Sequence, residues 1–152
     1  MVAKPKRPKK KRLKLFADRL WSHAVKDDWN NRCAICNKDY ALHSHHLVPR
    51  MYHATRFNVR NGICLCFYCH TNHPRYSPHQ NVAGFDDWLK ERHPGAHAWM
   101  HEHKHPQDDI TKTDLWYVEK IQELRNEVDP IEFAAIVGPH FVDYLDSLDA
   151  TE

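Results

Sequence analysis

The chain has 152 residues, a formal net charge of +2 and 28% Asp, Glu, Lys and Arg, with a mean hydropathy of −0.77. That length favours one domain, and no run of about 18 apolar residues offers a membrane span. An odd count of five cysteines suits a secreted disulfide framework poorly, so a reducing, intracellular (cytoplasmic) compartment is expected, and no apolar stretch follows the basic N-terminus as a secretory signal would require.

The charge is unevenly spread. Residues 1–14 hold eight Lys or Arg and no acid, leaving 14 basic against 20 acidic residues, a balance of −6. Like charges, two prolines and almost nothing apolar predict a disordered basic tail over residues 1–12. Within it Lys9, Lys10, Lys11 and Arg12 form a candidate phosphate-binding arm, because cations gain affinity by releasing counterions from nucleic acid; a solubilising or targeting tail is the alternative. Residues 13–152 are then expected to form a single domain. Leu13, Phe16, Leu20 and Ala24 recur at spacings of three and four, which predicts an amphipathic helix from Leu13 to Val25 packed against the remainder of the domain.

Residues 32–75 carry the densest chemistry. Cys33-Ala-Ile-Cys36 and Cys66-Phe-Tyr-Cys69 each place two thiolates on one tight turn. Together they can complete the closed tetrahedral site of a structural Zn²⁺, and the 29 residues between Cys36 and Cys66 are long enough to be a folded insert. Cys64 lacks a partner and reads as a small buried residue. Short strands are expected around 42–48 and 62–66, with a helix starting near His70. The insert holds His43, His45 and His46, and His70 follows the second cysteine pair. Imidazoles converging beside a zinc staple can hold a second, open metal site with room for water and substrate.

Beyond a loop at Pro74–Pro78, Phe85–Arg92 reads as a short helix stopped by Pro94 and Gly95. A further helix is expected over Thr113–Val128, capped by Thr111 or Thr113 and broken at Asp129-Pro130, with two short helices divided at Gly138-Pro139. The C-terminal region, 84–150, is thus helical, and lacking Lys or Arg after Arg125 it is expected to complete a core or self-associate rather than lie on DNA. His93, His97, His101 and His105 recur every four residues, but the helix breakers around them favour incidental, exposed histidines. Trp88, Trp99, Trp116 and Tyr117 read as core.

His45-His46-Leu-Val-Pro49, followed by Asn61-Gly-Ile-Cys64-Leu-Cys66-Phe-Tyr-Cys69-His70, resembles the HNH endonuclease family, with local similarity to phage recombination nucleases of the NinG type around Arg56-Phe57-Asn58. The match covers about residues 33–73. The resemblance implies an α+β, mostly helical protein with a small zinc-stapled ββα-metal (treble-clef-like) core between N- and C-terminal helices. It implies His46 as general base, Asn61 as the residue supporting that base and its loop, and His45 and His70 as ligands of a catalytic metal, with Pro49 and Leu65 shaping the hairpin. His43 competes with His45 for the ligand role. His73, one helical turn beyond His70, is an additional candidate, whereas the family's commoner His four residues after His70 is replaced by Pro74.

The expected activity is metal-dependent hydrolysis of DNA phosphodiester bonds, with RNA and homodimerisation left open and no membrane partner. The alternative is a zinc module that binds nucleic acid or protein without cutting it. Histidine ligands favour Mn²⁺, Ni²⁺ or Co²⁺ over Mg²⁺ as the working ion, with Mg²⁺ and Zn²⁺ kept as candidates. Arg50, Arg56 and Arg60 flank the motif and are either phosphate contacts or ordinary solvated cations.

Overall fold

Leu13, Phe16, Ala17, Leu20, Trp21, Ala24 and Val25 are all buried, so the stripe read from the sequence is the inner face of a helix, α1 (Lys10–Asp28). The computed structural model describes residues 3–105 and 108–151. It is an α+β, mostly helical protein whose described residues contain one two-stranded sheet. None of its helices is long and apolar enough to cross a membrane among those residues.

Helix α1 starts at Lys10, inside the stretch expected to lack structure. The amides of Arg12 and Leu13 both bond to the Lys9 carbonyl, the Arg12 guanidinium lies over the Phe16 ring at 5.5 Å, and burial of Leu13 and Phe16 stabilises that first turn. Lys10, Lys11 and Arg12 are exposed on it.

The chain forms two compact units. One combines the segment up to Trp21 with the chain from Thr111 onward, and is helical: α6 (Asp114–Arg125), α7 (Pro130–Val137) and α8 (Pro139–Asp149), numbered in chain order. Thr113 caps α6 through the Trp116 amide. That helix ends at Arg125, short of Val128, because the amides of Asn126 and Glu127 turn back to Glu123 and Leu124. Asp129 caps α7 with Pro130 in its first turn, and Gly138 at φ 84° supplies the positive dihedral that separates α7 from α8. Phe16 stacks on Phe141 at 5.2 Å, and Arg125 binds Asp146 at 2.9 Å while lying over Phe133.

The second unit, Ser22–Ile110, contains β1 (Leu42–His46), α2 (His53–Arg56), a 3-10 turn (Val59–Asn61), β2 (Gly62–Cys66), α3 (Phe67–Thr71), α4 (Val82–Arg92) and α5 (Pro94–His103). The strands pair antiparallel, with His43 opposite Leu65, Ser44 opposite Cys64 and His45 opposite Ile63. Strand β2 is buried throughout and β1 only half-buried, and His43 and His45 of β1 stand beside the apolar cluster of Ile63, Leu65, Phe85, Trp88 and Leu89. Trp29, just after α1, donates its indole N–H to the Gly62 carbonyl at 3.0 Å.

Three further boundaries, all in this unit, differ from expectation for physical reasons. Helix α3 begins at Phe67 because Cys66 Sγ accepts the Cys69 amide as its cap, which puts both Cys69 and His70 on the helix. Asn81 caps α4 through the Gly84 amide at 2.8 Å and so starts it at Val82; a Cβ at Gly84 would collide with the Arg75 carbonyl, so glycine lets the preceding loop press against this helix. Pro94 and Gly95 open α5 rather than ending helical structure, since proline in the first turn gives up an N–H that has no partner there anyway.

Candidate metal centre

Cys33 and Cys36 sit on a turn after α1 that is bonded to β2: the Ala34 amide reaches the Cys64 carbonyl at 2.9 Å, and the Cys33 amide bonds to Lys38 at 2.8 Å. Cys66 ends β2 and Cys69 rides on α3. One sulfur from each of the four lies within 4.8 Å of the others, and Cys36 Sγ is 3.6 Å from Cys66 Sγ. No disulfide is formed. A disulfide would need about 2.05 Å, whereas tetrahedral zinc with Zn–S near 2.3 Å separates sulfurs by about 3.8 Å. The four cysteines could therefore hold a structural metal such as zinc.

The thiols are electrostatically unequal. Burial opposes ionisation of Cys33, but the amides of Cys36, Cys66 and Ile35 outweigh it and lower its pKa. Burial pushes Cys69 up, with Cys33 adding to the effect. A cation would resolve that competition by taking all four as thiolates. Cys64 stands outside the cluster, fully buried, and burial raises its pKa to about 11, consistent with the inert packing role expected of it.

Alternation along β1 sends His43 and His45 to one face and His46 to the other. His70 on α3 lies opposite the first pair. His45 Nδ1 is 3.1 Å from His70 Nε2, and His79 Nε2 is 3.0 Å from the same atom. His43 instead meets the far nitrogen of His70, Nδ1 to Nδ1, at 3.0 Å. His45, His70 and His79 thus offer three ring nitrogens within 4.8 Å of one another. Ligands at about 2.1 Å from one ion would stand about 3.0–3.4 Å apart in octahedral or tetrahedral geometry. A neutral imidazole has one N–H and one lone pair, and His70 Nε2 cannot donate a linear bond to two rings at once. The three could hold a metal ion.

Burial, then the neighbouring His70, His79 and His46, hold the His45 pKa down at about 3. Burial, then His79 and His43, lower His70 to about 4. Both rings are neutral at physiological pH, with lone pairs available for a metal.

Sequence pattern alone does not reveal His79. It reaches the cluster because Ser77, fully buried, donates its hydroxyl to the His70 carbonyl at 2.7 Å and accepts the amides of His79 and Gln80. That folds the Pro74–Pro78 loop back onto α3. His73, the other expected candidate, is not brought in; its Nδ1 accepts the amides of Arg75 and Tyr76, and its ring packs between Tyr68 and Tyr76.

His46 Nε2 is 3.0 Å from the Arg56 carbonyl. A carbonyl only accepts, so Nε2 carries the proton and Nδ1 is the basic nitrogen. Asn61 is fully buried. Its Oδ1 accepts the Val48 amide at 2.6 Å, and its Nδ2 donates to the carbonyls of Val48 and Thr55. Asn61 therefore closes the loop between the strands, the same loop whose Arg56 carbonyl orients His46.

The three flanking arginines separate. Arg56 is only 7% exposed and lies over Phe57, which withdraws it from a surface role in phosphate contact. Arg60 is exposed and stacks over Trp99 at 5.8 Å; Arg50 is exposed. No protein-family model, curated protein or solved structure matches the chain.

Proposed function

We propose that the protein is a metal-dependent endonuclease of the HNH type, with a ββα-metal core formed by β1, β2 and α3, that hydrolyses phosphodiester bonds in DNA. The observation that carries this reading is the convergence of His45 Nδ1, His70 Nε2 and His79 Nε2 on one point, next in sequence to an imidazole of defined tautomer, His46. A zinc module that only binds has no use for a second set of three converging imidazole donors besides its cysteine site.

In this reading His45, His70 and His79 hold a divalent ion, and His43 orients His70 through its far nitrogen. When bound, the ion supplies charge neutralisation at the phosphate and at the departing oxygen. His46 takes a proton from water at Nδ1, and its N–H to Arg56 keeps the ring in that tautomer. Asn61 holds the Arg56 loop in place. Arg50, Arg60 and the exposed Lys9, Lys10, Lys11 and Arg12 are the candidate phosphate contacts. An all-imidazole donor set suits Mn²⁺, Co²⁺, Ni²⁺ or Zn²⁺ better than Mg²⁺.

The test is nicking of supercoiled plasmid, run in parallel with structured RNA, by wild type and His46→Ala in each of these ions. Loss of a general base is expected to slow cleavage by about 10²-fold or more. Absence of cleavage by wild type in every ion, or undiminished cleavage by the variant, overturns the assignment; binding without cleavage would instead favour the non-catalytic zinc module.

A further inference from the structure

Because Pro94 opens α5 instead of breaking it, His97 and His101 lie one turn apart on a continuous helix face. Their ring centroids are 4.2 Å apart. Both turn Nε2 to a single side chain on α4: His97 reaches Asp86 Oδ2 at 3.2 Å and His101 reaches Asp86 Oδ1 at 2.8 Å. The geometry points to a metal site formed by Asp86, His97 and His101, separate from the cysteine and histidine clusters above, that takes a late first-row divalent cation such as Zn²⁺, Co²⁺ or Ni²⁺.

The donor chemistry fits. One ligand atom from each residue lies within 4.8 Å of the others, and nitrogen and oxygen donors bound at about 2.0–2.1 Å stand about 2.8–3.4 Å apart, the range of the two separations observed. Two imidazoles and one carboxylate favour late transition metals over Mg²⁺. Burial would hinder ionisation of Asp86, but the hydrogen bonds from His101 and His97 outweigh it and keep the carboxylate charged. The side chains are 34%, 15% and 39% exposed for Asp86, His97 and His101, so an ion can enter and water can fill the remaining positions. On binding, each Nε2–H bond to Asp86 gives way to a metal–nitrogen bond: the Nε2 proton passes to water, and a ring that held no proton on Nδ1 takes one up there from water.

The location gives the site a purpose. The residue before Asp86 is Phe85, whose ring meets His45 edge-on with centroids 5.9 Å apart. Helix α5 carries Trp99, on which Arg60 of the 3-10 turn stacks, next to Asn61. An ion shared by α4 and α5 fastens the two helices behind the histidines of β1. It is a staple rather than a reaction centre, and its existence does not depend on the nuclease reading.

The experiment titrates Co²⁺ and Ni²⁺ by calorimetry into the full-length protein brought to one equivalent of zinc per chain, enough for the cysteine site alone, with metal content measured after desalting, for wild type, His97→Ala, His101→Ala and His79→Ala. His101 is exposed, so its replacement is expected to leave the fold intact, checked by circular dichroism. Outer-shell partners alone are worth about 10–100-fold in affinity, so loss of a direct ligand should weaken one binding event at least about tenfold in both α5 variants. The same event should survive in His79→Ala, which reports on the other histidine cluster. Wild-type stoichiometry and affinity in His97→Ala and His101→Ala, or loss of all Co²⁺ and Ni²⁺ binding in His79→Ala alone, overturns the site.

Discussion

His43 and His70 face each other Nδ1 to Nδ1 at 3.0 Å, while the opposite nitrogen of His70 meets His45 and His79. One imidazole thus has a positioning contact on one side and two co-ligand candidates on the other. Metal-bound histidines commonly fix their tautomer through such an outer partner, and this geometry separates His43 from His45, which sequence alone leaves competing. His70→Ala and His45→Ala should each abolish tight Mn²⁺ or Co²⁺ binding at this cluster, whereas His43→Ala should weaken it by about 10–100-fold. Calorimetric titration of the three variants checks this; a larger loss for His43→Ala than for His45→Ala would exchange their roles.

Asn61 contributes to the loop through three backbone bonds and no surface contact. Truncation to alanine leaves the buried Val48 amide and two carbonyls without the side chain that satisfies them, each worth about 1–3 kcal/mol when left unpaired. Partial relaxation and water entry reduce the sum, so Asn61→Ala should cost about 3 kcal/mol in denaturant unfolding. If the proposed nuclease function holds, cleavage should fall further than the remaining folded fraction accounts for, because the Arg56 carbonyl that orients His46 belongs to the released loop. A loss below about 0.5 kcal/mol, the range of ordinary surface substitutions, would contradict the bonding scheme.

What could be read from the chain in advance is what depends on local geometry. Two C-x-x-C turns bring their own thiolates together wherever they fold, and the alternating His43, His45 and His46 define two faces of any strand. The α1 stripe of Leu13, Phe16 and Leu20 needs only helical periodicity. His79 was hidden because its approach depends on Ser77 folding a proline-bounded loop back onto His70. The pairing of His97 and His101 on Asp86 was hidden for a related reason: Pro94 is a breaker in mid-helix and a good first residue, and which role it takes is decided by how α4 ends at His93. Arg56 looks like a surface cation until its burial over Phe57 is known.

The depressed pKa values of His45 and His70 set an acid limit on the metal-free histidine cluster. Folded, they titrate near 3 and 4; unfolded, near the ordinary value of about 6.5. Between these limits the unfolded chain binds more protons, so stability is greatest above about pH 6.5 and falls as pH drops toward 3. His45→Gln removes one of the two titrating rings. Its Tm, measured from pH 7.5 to 4 without added metal, should decline less steeply than that of wild type, and parallel slopes would show that His45 is not held neutral by the fold.

The cysteine cluster should matter most for the unit spanning Ser22–Ile110, since all four ligands lie in it and join the turn of Cys33 and Cys36 to β2 and α3. Structural zinc contributes about 10–16 kcal/mol of apparent binding energy in small domains, comparable with the whole stability of a typical protein, about 5–15 kcal/mol. A strong chelator, or Cys69→Ala, should therefore release one zinc and unfold that unit. The helices α6, α7 and α8 contain none of the four ligands, so far-UV ellipticity should fall only in part. Cys64→Ala is the control: this buried thiol lies outside the cluster, and its loss should cost about 1 kcal/mol, in the range of ordinary point mutations, with the zinc retained. A full stoichiometry of zinc in Cys69→Ala, or its loss in Cys64→Ala, would show that a different set of thiolates binds the ion.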